Sequence, residues 1–387
     1  MPVESKDGAH WLAPTITAHA WSADRKQLAL CPNTTEVWIY TGCDNPDASR
    51  WTRSHVLKEH DMEVCDIDWC ESTNKIVTCS EDRNAFVWTY DAGERKWKPS
   101  IVILRIERAA LACVWSPNGR KFAVASGSKC VPVCHFEEEH DWWVSDQIKK
   151  HKSTVLSVAW HPNSQLLATA CTDFKCRIFN AFNDAVDEAP DSGPFAAVSD
   201  TFGDLYMELD MSKGWVEDVA WCPSGDKLAF VGHDASVVFV HLAADPSESA
   251  VQVLRTRGLP FTQVEFATDT AVVAAGHDFN PALFVVDGSG YWSFVDNLDR
   301  KKEGGDDSKA SSSFGAARAM FAAKASKGTA TATDGKVWTK HQAAITSMQV
   351  YSPPGAPRSA FSTSGIDGRV VMWDLRKAGI PLAGTGL

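Results

Sequence analysis

The sequence lacks the features that would place it in or across a membrane. Its 387 residues contain no run approaching the roughly eighteen apolar residues that a membrane helix needs. The opening residues MPVESKDGAHW have neither the basic start nor the apolar core of a secretion signal. We therefore expect a cytoplasmic protein without membrane insertion.

Cysteine pairs with the spacing of a zinc site are also missing. The chain has 11 cysteines, scattered without a CxxC pair. An odd number of cysteines in a cytosolic protein indicates reduced thiols, most of them buried. We predict no metal site.

Sequence motifs of enzymes and nucleotide-binding proteins are absent as well. There is no G-x-x-x-x-G-K-[ST] loop, no H-E-x-x-H and no G-x-S-x-G. The tetrapeptide SGSK at 126–129 is too short a match to cradle phosphates. We predict a protein that is not an enzyme, with no catalytic residues and no cofactor.

Positive charge is in deficit, with a net charge of -11 at neutral pH. Nucleic acids and anionic lipid surfaces bind basic faces that neutralise their phosphates, so this balance opposes non-specific binding to either. Other proteins are the expected partners.

What the sequence does contain is an internal repeat. Strand-like runs that end in a large aromatic residue recur at steps of 48, 46, 45, 61 and 45 residues. A period near 45 is typical of the four-stranded blade of a WD-repeat propeller. The aromatic residues are Trp21, Trp69, Trp115, Trp160, Trp221 and Phe266.

A seventh strand set near Val350 completes the count. The two long steps carry surplus residues, which we assign to the acidic stretch 184–200 and to an insertion at 299–328. We therefore predict an all-β protein in which residues 1–387 form a single seven-bladed β-propeller. A linker and a short helix are inserted between blades six and seven.

Four repeats place an Asp six residues before an aromatic residue. In WD-type blades such an Asp accepts hydrogen bonds from backbone amides and from a His, while the Trp closes the set through its indole N–H. A His, a hydroxyl and an Asp could also form a hydrolase triad, but their repetition favours a structural role, since an enzyme needs one site. The predicted network consists of His60, Asp82 and Trp88; His151 and Asp173, with Phe179 in place of Trp; Asp278; and His341, Asp367 and Trp373, with a hydroxyl near Thr363.

The insertion contains a candidate helix. After the polar linker DRKKEGGDDSK, Ser313 is a plausible N-cap, and residues 314–325 are rich in alanine. On a helical wheel Phe314, Ala317 and Phe321 share one face. Because so short a helix is marginal alone in water, its apolar face must be buried, either on the ring or in a groove of another protein.

The charge of this segment favours the second alternative. Residues 310–328 contain Arg318, Lys324 and Lys327 but no acidic residue, in a protein that is acidic overall. A basic amphipathic helix on a linker suits an acidic partner. We predict a projecting helix with Phe314, Met320 and Phe321 as its anchors.

Several longer stretches resemble one known family. They are LKEHDMEVCDIDW, TCSEDRNAFVWTY, RKWKPSIVILRIERAA, HFEEEHDWWVSDQIKKHKSTVLSVAWHPNSQLLATACTDFKCRIFNAF and VVAAGHDFNPALF. Together they resemble the WD-repeat propeller subunit of the actin-related protein 2/3 complex, which nucleates actin filaments.

This resemblance implies a non-catalytic scaffold that takes part in the nucleation and branching of actin filaments. Its implied partners are actin-related proteins 2 and 3, the other subunits, the actin filament and nucleation-promoting factors, and its implied location is the actin cytoskeleton. The inserted helix of the family is implicated in contact with actin or with nucleation-promoting factors. The matching positions are Phe314, Arg318, Met320, Phe321 and Lys324.

Two questions stay open at the level of sequence. Residues 373–376 spell W-D-x-R, a pattern found in propellers that act as substrate receptors of ubiquitin ligases, which is the alternative function. Such receptors usually display the pattern in two blades. The aromatic pair Trp142 and Trp143 suits an exposed hairpin tip and a buried rim equally well.

Overall fold

β-strands make up most of the regular structure of the described residues. The computed structural model describes residues 4–6, 8–188, 201–243, 245–300, 338–353, 356, 358–378 and 387. In these ranges the helical elements are short 3-10 turns at Ala48–Arg50, Pro246–Glu248 and Leu375–Lys377. No helix of the described residues is long and apolar enough to cross a bilayer.

The strands form seven antiparallel sheets, the blades of a ring. In blades 1 to 6 four consecutive strands run from the innermost to the outermost position. The strands of blades 1 to 3 are β3 (Ala18–Trp21), β4 (Gln27–Cys31), β5 (Val37–Thr41), β6 (Thr52–Leu57); β7 (Val64–Trp69), β8 (Ile76–Ser80), β9 (Asn84–Asp91), β10 (Lys96–Ile103); and β11 (Ala110–Trp115), β12 (Lys121–Ser126), β13 (Val131–Glu137), β14 (Trp142–Ile148). Those of blades 4 to 6 are β15 (Val155–Trp160), β16 (Leu166–Cys171), β17 (Cys176–Asn180), β18 (Leu205–Leu209); β19 (Val216–Trp221), β20 (Lys227–Gly232), β21 (Ser236–His241), β22 (Ala250–Arg255); and β23 (Phe261–Thr268), β24 (Ala271–Gly276), β25 (Ala282–Val286), β26 (Trp292–Asn297).

Blade 7 is built from both ends of the described chain. Its inner strands are β27 (Ile345–Val350), β28 (Ala360–Gly365) and β29 (Arg369–Asp374), and its fourth is β2 (Ala9–Trp11). β2 pairs with β29 in the register Ala9 to Val371 and Trp11 to Arg369. A fifth strand, β1 (Glu4–Lys6), pairs with β2. The pairing of β2 with β29 therefore closes the ring.

The prediction of a seven-bladed, all-β propeller is confirmed. Each of the six aromatic residues that marked the repeat lies in the innermost strand of one blade, and Val350 ends that of blade 7. All six are buried, and Phe266 is completely inaccessible. The period arises because each blade needs one large apolar residue at the same place against its neighbour.

The apolar core is divided among the blade interfaces. Among the described residues there are seven clusters of buried side chains, and each joins two adjacent blades. One cluster packs Val370 of blade 7 against Ile16, Trp21 and Leu28 at blade 1. Since every sheet is covered on both faces by its neighbours, the ring needs no other layer.

Two local irregularities recur around the ring. The innermost strands of blades 2 to 7 each carry a β-bulge near their start, for example between Val64 and Asp66. The turn joining the second and third strands of these blades contains one residue with positive φ. These residues are Arg83, Lys129, Phe174, Ala235, Phe279 and Gly368.

The predicted inserted helix falls outside the described residues. The insertion leaves the ring after β26, and the chain is described again from Trp338, before β27. Phe314, Arg318, Met320, Phe321 and Lys324 all lie in the interval between. The helical insertion therefore stays a prediction.

Candidate functional site

Blade 2 contains a buried chain of four polar side chains. The indole Nε1 of Trp88 donates to Thr78 Oγ1 at 3.0 Å, and that hydroxyl lies 2.9 Å from His60 Nε2. His60 Nδ1 lies 2.8 Å from the Asp82 carboxylate, which also accepts from the Asn84 amide. Burial lowers the pKa of His60, although Asp82 acts in the opposite direction. A neutral His60 therefore relays hydrogen bonds from Trp88 to Asp82.

Blade 7 repeats this arrangement. Trp373 Nε1 donates to Thr363 Oγ1 at 2.8 Å, and His341 Nε2 lies 2.7 Å from the same hydroxyl. His341 Nδ1 is 3.2 Å from both Asp367 oxygens, which also accept from the Gln342 amide at 2.7 Å. The side chains of His60 and His341 are only 1% and 0% exposed. Neither set can reach a substrate in solution.

The third predicted set, in blade 4, has a different arrangement of hydrogen bonds. His151 Nε2 lies 2.9 Å from Thr169 Oγ1, but no hydrogen bond links His151 to Asp173, and His151 Nδ1 is buried without a partner. Asp173 instead pairs with the buried Arg177 at 2.9 Å, and Arg177 also binds Glu208. The expectation that His151 binds Asp173 was wrong. Arg177 offers a charge-assisted partner that neutral imidazole cannot match.

Blades 5 and 6 keep the Asp without the His. Asp278 accepts from the Leu259 amide at 2.8 Å, and Asp234 accepts from the Lys213 amide at 3.1 Å. Asp234 was missed from the sequence because Val240 stands where other repeats have an aromatic residue. The tripeptide Gly-His-Asp at 232–234, which recurs at 276–278, is the sequence pattern that would have revealed it.

A further buried set joins the first blade to the last. His19 lies 2.7 Å from Ser362 Oγ and 3.0 Å from Ser364 Oγ, and Trp21 Nε1 also donates to Ser362 at 2.8 Å. Burial, with a smaller contribution from His341, lowers the pKa of His19 to about 3. His19 is therefore neutral. Its partners are more than 340 residues away in sequence, so no local pattern points to them.

The innermost strands of all seven blades line a central channel of about 490 Å³. Carboxylates on these strands accept hydrogen bonds from backbone amides of a following blade. Asp66 binds the Cys113 amide at 2.9 Å, and Asp68 binds the Trp115 amide at 2.7 Å. Burial raises the pKa of Asp66 to about 7 and that of Asp68 to about 6. These carboxylates accept hydrogen bonds from backbone amides of the innermost strands, which would otherwise have no partner.

The described residues on either side of the interval 301–337 are held together on the ring. The Lys340 amide donates to Asp299 at 2.6 Å, and Asp299 exchanges two backbone hydrogen bonds of 2.9 Å with the Asn280 side chain. The Lys340 ammonium lies 4.5 Å from the ring centre of Trp373. Trp338, the first residue described after the insertion, is 54% exposed. The chain therefore enters and leaves the interval 301–337 at one place on the ring.

The two tryptophans at 142–143 differ, and each fits one of the two alternatives, an exposed hairpin tip or a buried rim. Trp142 is 56% exposed, and its Nε1 donates to Glu137 at 2.8 Å. Trp143 packs against Trp115, Phe122 and Phe136. The first tryptophan lies on the surface and the second belongs to the rim of blade 3.

One group of potential metal ligands occurs among the described residues. Side-chain atoms of Cys222, Asp226 and Asp269 lie within 4.8 Å of one another. The hydroxyl of Ser224 lies 2.5 Å from Asp226 and 2.7 Å from Asp269, and Lys227 pairs with Asp226 at 2.7 Å. Hydrogen bonds and an ion pair satisfy these carboxylates, so the group is explained without a cation.

Comparison with known families matches two segments to the WD domain, G-beta repeat, at residues 51–89 and 143–180. Each segment runs from the outermost strand of one blade through the three inner strands of the next. They contain the sets around His60 and His151.

Similar proteins cover nearly the whole chain. Actin-related protein 2/3 complex subunit 1A of Arabidopsis thaliana is 45% identical over 370 residues, which span 95% of this chain and 96% of that protein. Subunit 1A-B of Xenopus laevis is 41% identical over 95% of each chain. Subunit 1 of Schizosaccharomyces pombe is 35% identical over 95% of this chain and 98% of its own. The chain thus belongs to the family of actin-related protein 2/3 complex subunit 1.

Proposed function

We propose that this protein is a non-catalytic scaffold subunit of an actin-related protein 2/3 complex and takes part in the nucleation and branching of actin filaments. The observation that carries the proposal is identity of 35% to 45% with proteins named as subunit 1 of that complex, over 95% of the chain. Its partners are actin-related proteins 2 and 3 and the other subunits. It acts in the cytoplasm, at the actin cytoskeleton.

The ring suits a scaffold. Seven apolar interfaces and the side chains that link adjacent blades fix the relative positions of the surface loops. The His and Asp sets, which could suggest a hydrolase, are buried and joined to a Trp donor in blades 2 and 7. These contacts support a structural role for the sets.

The inserted segment provides an additional contact in this proposal. Phe314, Met320 and Phe321 are its apolar anchors, and Arg318 and Lys324 face an acidic surface on actin or on a nucleation-promoting factor. Support comes from the absence of acidic residues at 310–328 and from the joined ends at Asp299 and Lys340. A segment tethered at one point can extend away from the ring without straining it.

The Phe314→Ala, Phe321→Ala double variant tests this contact. We expect it to weaken the contact by roughly 2 to 4 kcal/mol, because aromatic anchors dominate binding energy at interfaces. Branch density, measured by imaging of filaments grown with the assembled complex, should fall. Unchanged branching by a normally assembled complex would refute the anchor role.

The matched control for this variant is Ser308→Ala, Ser311→Ala, which alters the same insertion outside the proposed helix. It should leave branching unchanged. Purification of the tagged protein from its native lysate tests the scaffold role separately. Copurification with a ubiquitin-ligase scaffold instead of actin-related proteins would contradict it.

A further inference from the structure

Blade 3 carries a basic pocket of about 480 Å³ at the end of the ring where the His and Asp sets lie. Three chain segments form it: the loop between β10 and β11, the turn between β12 and β13, and the segment after β14. Its cationic side chains are Arg105, Arg108, Lys129 and Lys149. We call this site the blade 3 basic pocket.

The charges of the four cations are not balanced by ion pairs with described residues. None of them makes an ion pair with any residue in the described ranges, whereas neighbouring Lys150 pairs with Asp204 at 3.4 Å. Glu107 is the one acidic residue among those lining the pocket. An uncompensated cluster of this kind in a protein of net charge -11 attracts anions locally.

The turn between β12 and β13 of blade 3 lacks the acidic residue that five other blades have at this place, which explains the positive charge of the pocket. Blades 2, 4, 5, 6 and 7 place an Asp immediately before their left-handed turn residue, whereas blade 3 has Ser128 before Lys129. Ser128 Oγ accepts from the Glu107 and Arg108 amides at 2.8 and 2.9 Å, as Asp82 accepts from the Asp61 amide in blade 2. The hydroxyl keeps the structural hydrogen bonds but removes the negative charge.

Hydrogen bonds fix the walls of the pocket. Gln147 Nε2 donates to the carbonyls of Leu104 and Arg105 at 2.9 and 3.0 Å, which holds the loop that carries Arg105. His151 also lines the pocket, is only 7% exposed, and has its Nδ1 without a partner.

These features select the class of ligand. Arginine binds phosphate through two parallel hydrogen bonds, and lysine adds a point charge. No aromatic side chain of the described residues lines the pocket except that of His151, so it offers little to anchor the apolar part of a peptide. A compact and highly charged anion fits this composition better than an extended acidic chain.

We propose that the blade 3 basic pocket binds a compact ligand carrying two or more phosphate groups, such as an inositol polyphosphate or the headgroup of a phosphoinositide. The tetrapeptide SGSK at 126–129 supplies Ser128 and Lys129 but is not a phosphate loop. The cations converge from three separate segments, a spacing that no linear motif shows. Every residue that lines the pocket lies between Arg105 and His151, so the proposal uses no residue of the insertion.

Calorimetric titration of the assembled complex with inositol hexakisphosphate is the test. We expect binding that the Arg105→Gln, Lys129→Gln variant weakens by about tenfold or more, because two charge-assisted contacts are lost. The matched control, Lys213→Gln, Arg257→Gln, removes the same charge from exposed loops leading into blades 5 and 6 and should bind like the parent. Thermal unfolding of both variants verifies that the ring is intact.

Two further arms distinguish the sources of the phosphate groups. Vesicles containing phosphatidylinositol bisphosphate should recruit the complex if the ligand is a lipid headgroup, whereas binding of the soluble compound alone indicates a free metabolite. Equal binding by parent and pocket variant would overturn the proposal. Complete displacement by sulfate at matched ionic strength, or tighter binding of an acidic peptide to the pocket, would also overturn it.

Discussion

At the scale of single residues, the sets of blades 2 and 7 show how one carboxylate organises a turn. Asp367 accepts from His341 and from the amides of Gln342 and Arg369. Burial would raise the pKa of Asp367, but these hydrogen bonds and the nearby His341 outweigh it and lower the pKa. The contribution of Asp367 to stability is therefore present above its ordinary pKa and lost as the pH falls through the lowered value.

Removal of the Asp367 carboxylate should reduce the stability of the fold. We expect Asp367→Ala to lower the free energy of unfolding by about 3 kcal/mol, since several buried donors lose their partner. The control Asp278→Ala affects an exposed carboxylate with one hydrogen bond, from the Leu259 amide, and should cost about 1 kcal/mol or less. Urea unfolding measures both, and equal losses would argue against the special role of the buried set.

Sequence reasoning identified these residues only where a local pattern existed. The six-residue spacing pointed to Asp82, Asp173, Asp278 and Asp367. The spacing does not show that Arg177 takes the place of His151 as the partner of Asp173. The Arg177 side chain also binds Glu208, and these two residues become neighbours only when β17 pairs with β18. The buried pair of Lys121 and Asp187 is likewise a product of tertiary structure.

At the scale of secondary-structure elements, the most constrained connection is the one that follows β2. The amides of Leu12 and Ala13 both donate to the Gly368 carbonyl. Gly368 has φ of +72°, and a Cβ there would overlap the backbone of Ala13. The chain therefore passes so close to the turn between β28 and β29 that only glycine fits.

Gly368→Ala should disrupt this closure. It combines strain of about 1 kcal/mol in the left-handed region with a backbone clash that must displace the segment after β2, so we expect a total loss of about 3 kcal/mol or more. Gly290→Ala is the matched control, because Gly290 has φ of +84° but nothing within 4 Å of an added Cβ. Differential scanning calorimetry compares them, and a similar fall in Tm would exclude the clash as the cause.

The elements themselves were largely predictable. The innermost strand of each blade carries a recurring apolar or aromatic residue, which gave the number of blades. The outermost strands gave no comparable pattern, because residues such as those of β6 and β10 are mostly exposed. The pairing of β2 with β29 joins the two ends of the chain, so periodicity alone did not indicate it.

At the scale of the whole molecule, the channel acids couple the stability of the ring to pH. Burial raises the pKa of Asp66 from 3.8 to about 7. The folded protein therefore keeps a proton that the unfolded chain releases, and this contribution to stability falls as pH rises from about 4 to 7. Neutral buried histidines such as His19 have the opposite effect. Below about pH 6.5 the unfolded chain takes up a proton that the folded protein does not, so this contribution to stability rises with pH.

A single substitution separates the two effects. We expect Asp66→Asn to be more stable relative to the parent protein at about pH 8 than at about pH 5, by about 1 kcal/mol after allowance for screening by solvent in the channel. Thr346→Val, in the same channel, removes no titrating group and should show the same difference at both pH values. A pH-independent effect of Asp66→Asn would contradict the proposed protonation.

The closure of blade 7 by β2 also has a consequence for synthesis of the protein. Translation produces β2 before blades 1 to 6 and β29 after them, so β2 lacks this partner strand while six blades form. During that time the apolar surfaces of blades 1 and 6 that face blade 7 have no cover. Nascent chains should therefore depend on a chaperone until β29 has been synthesised.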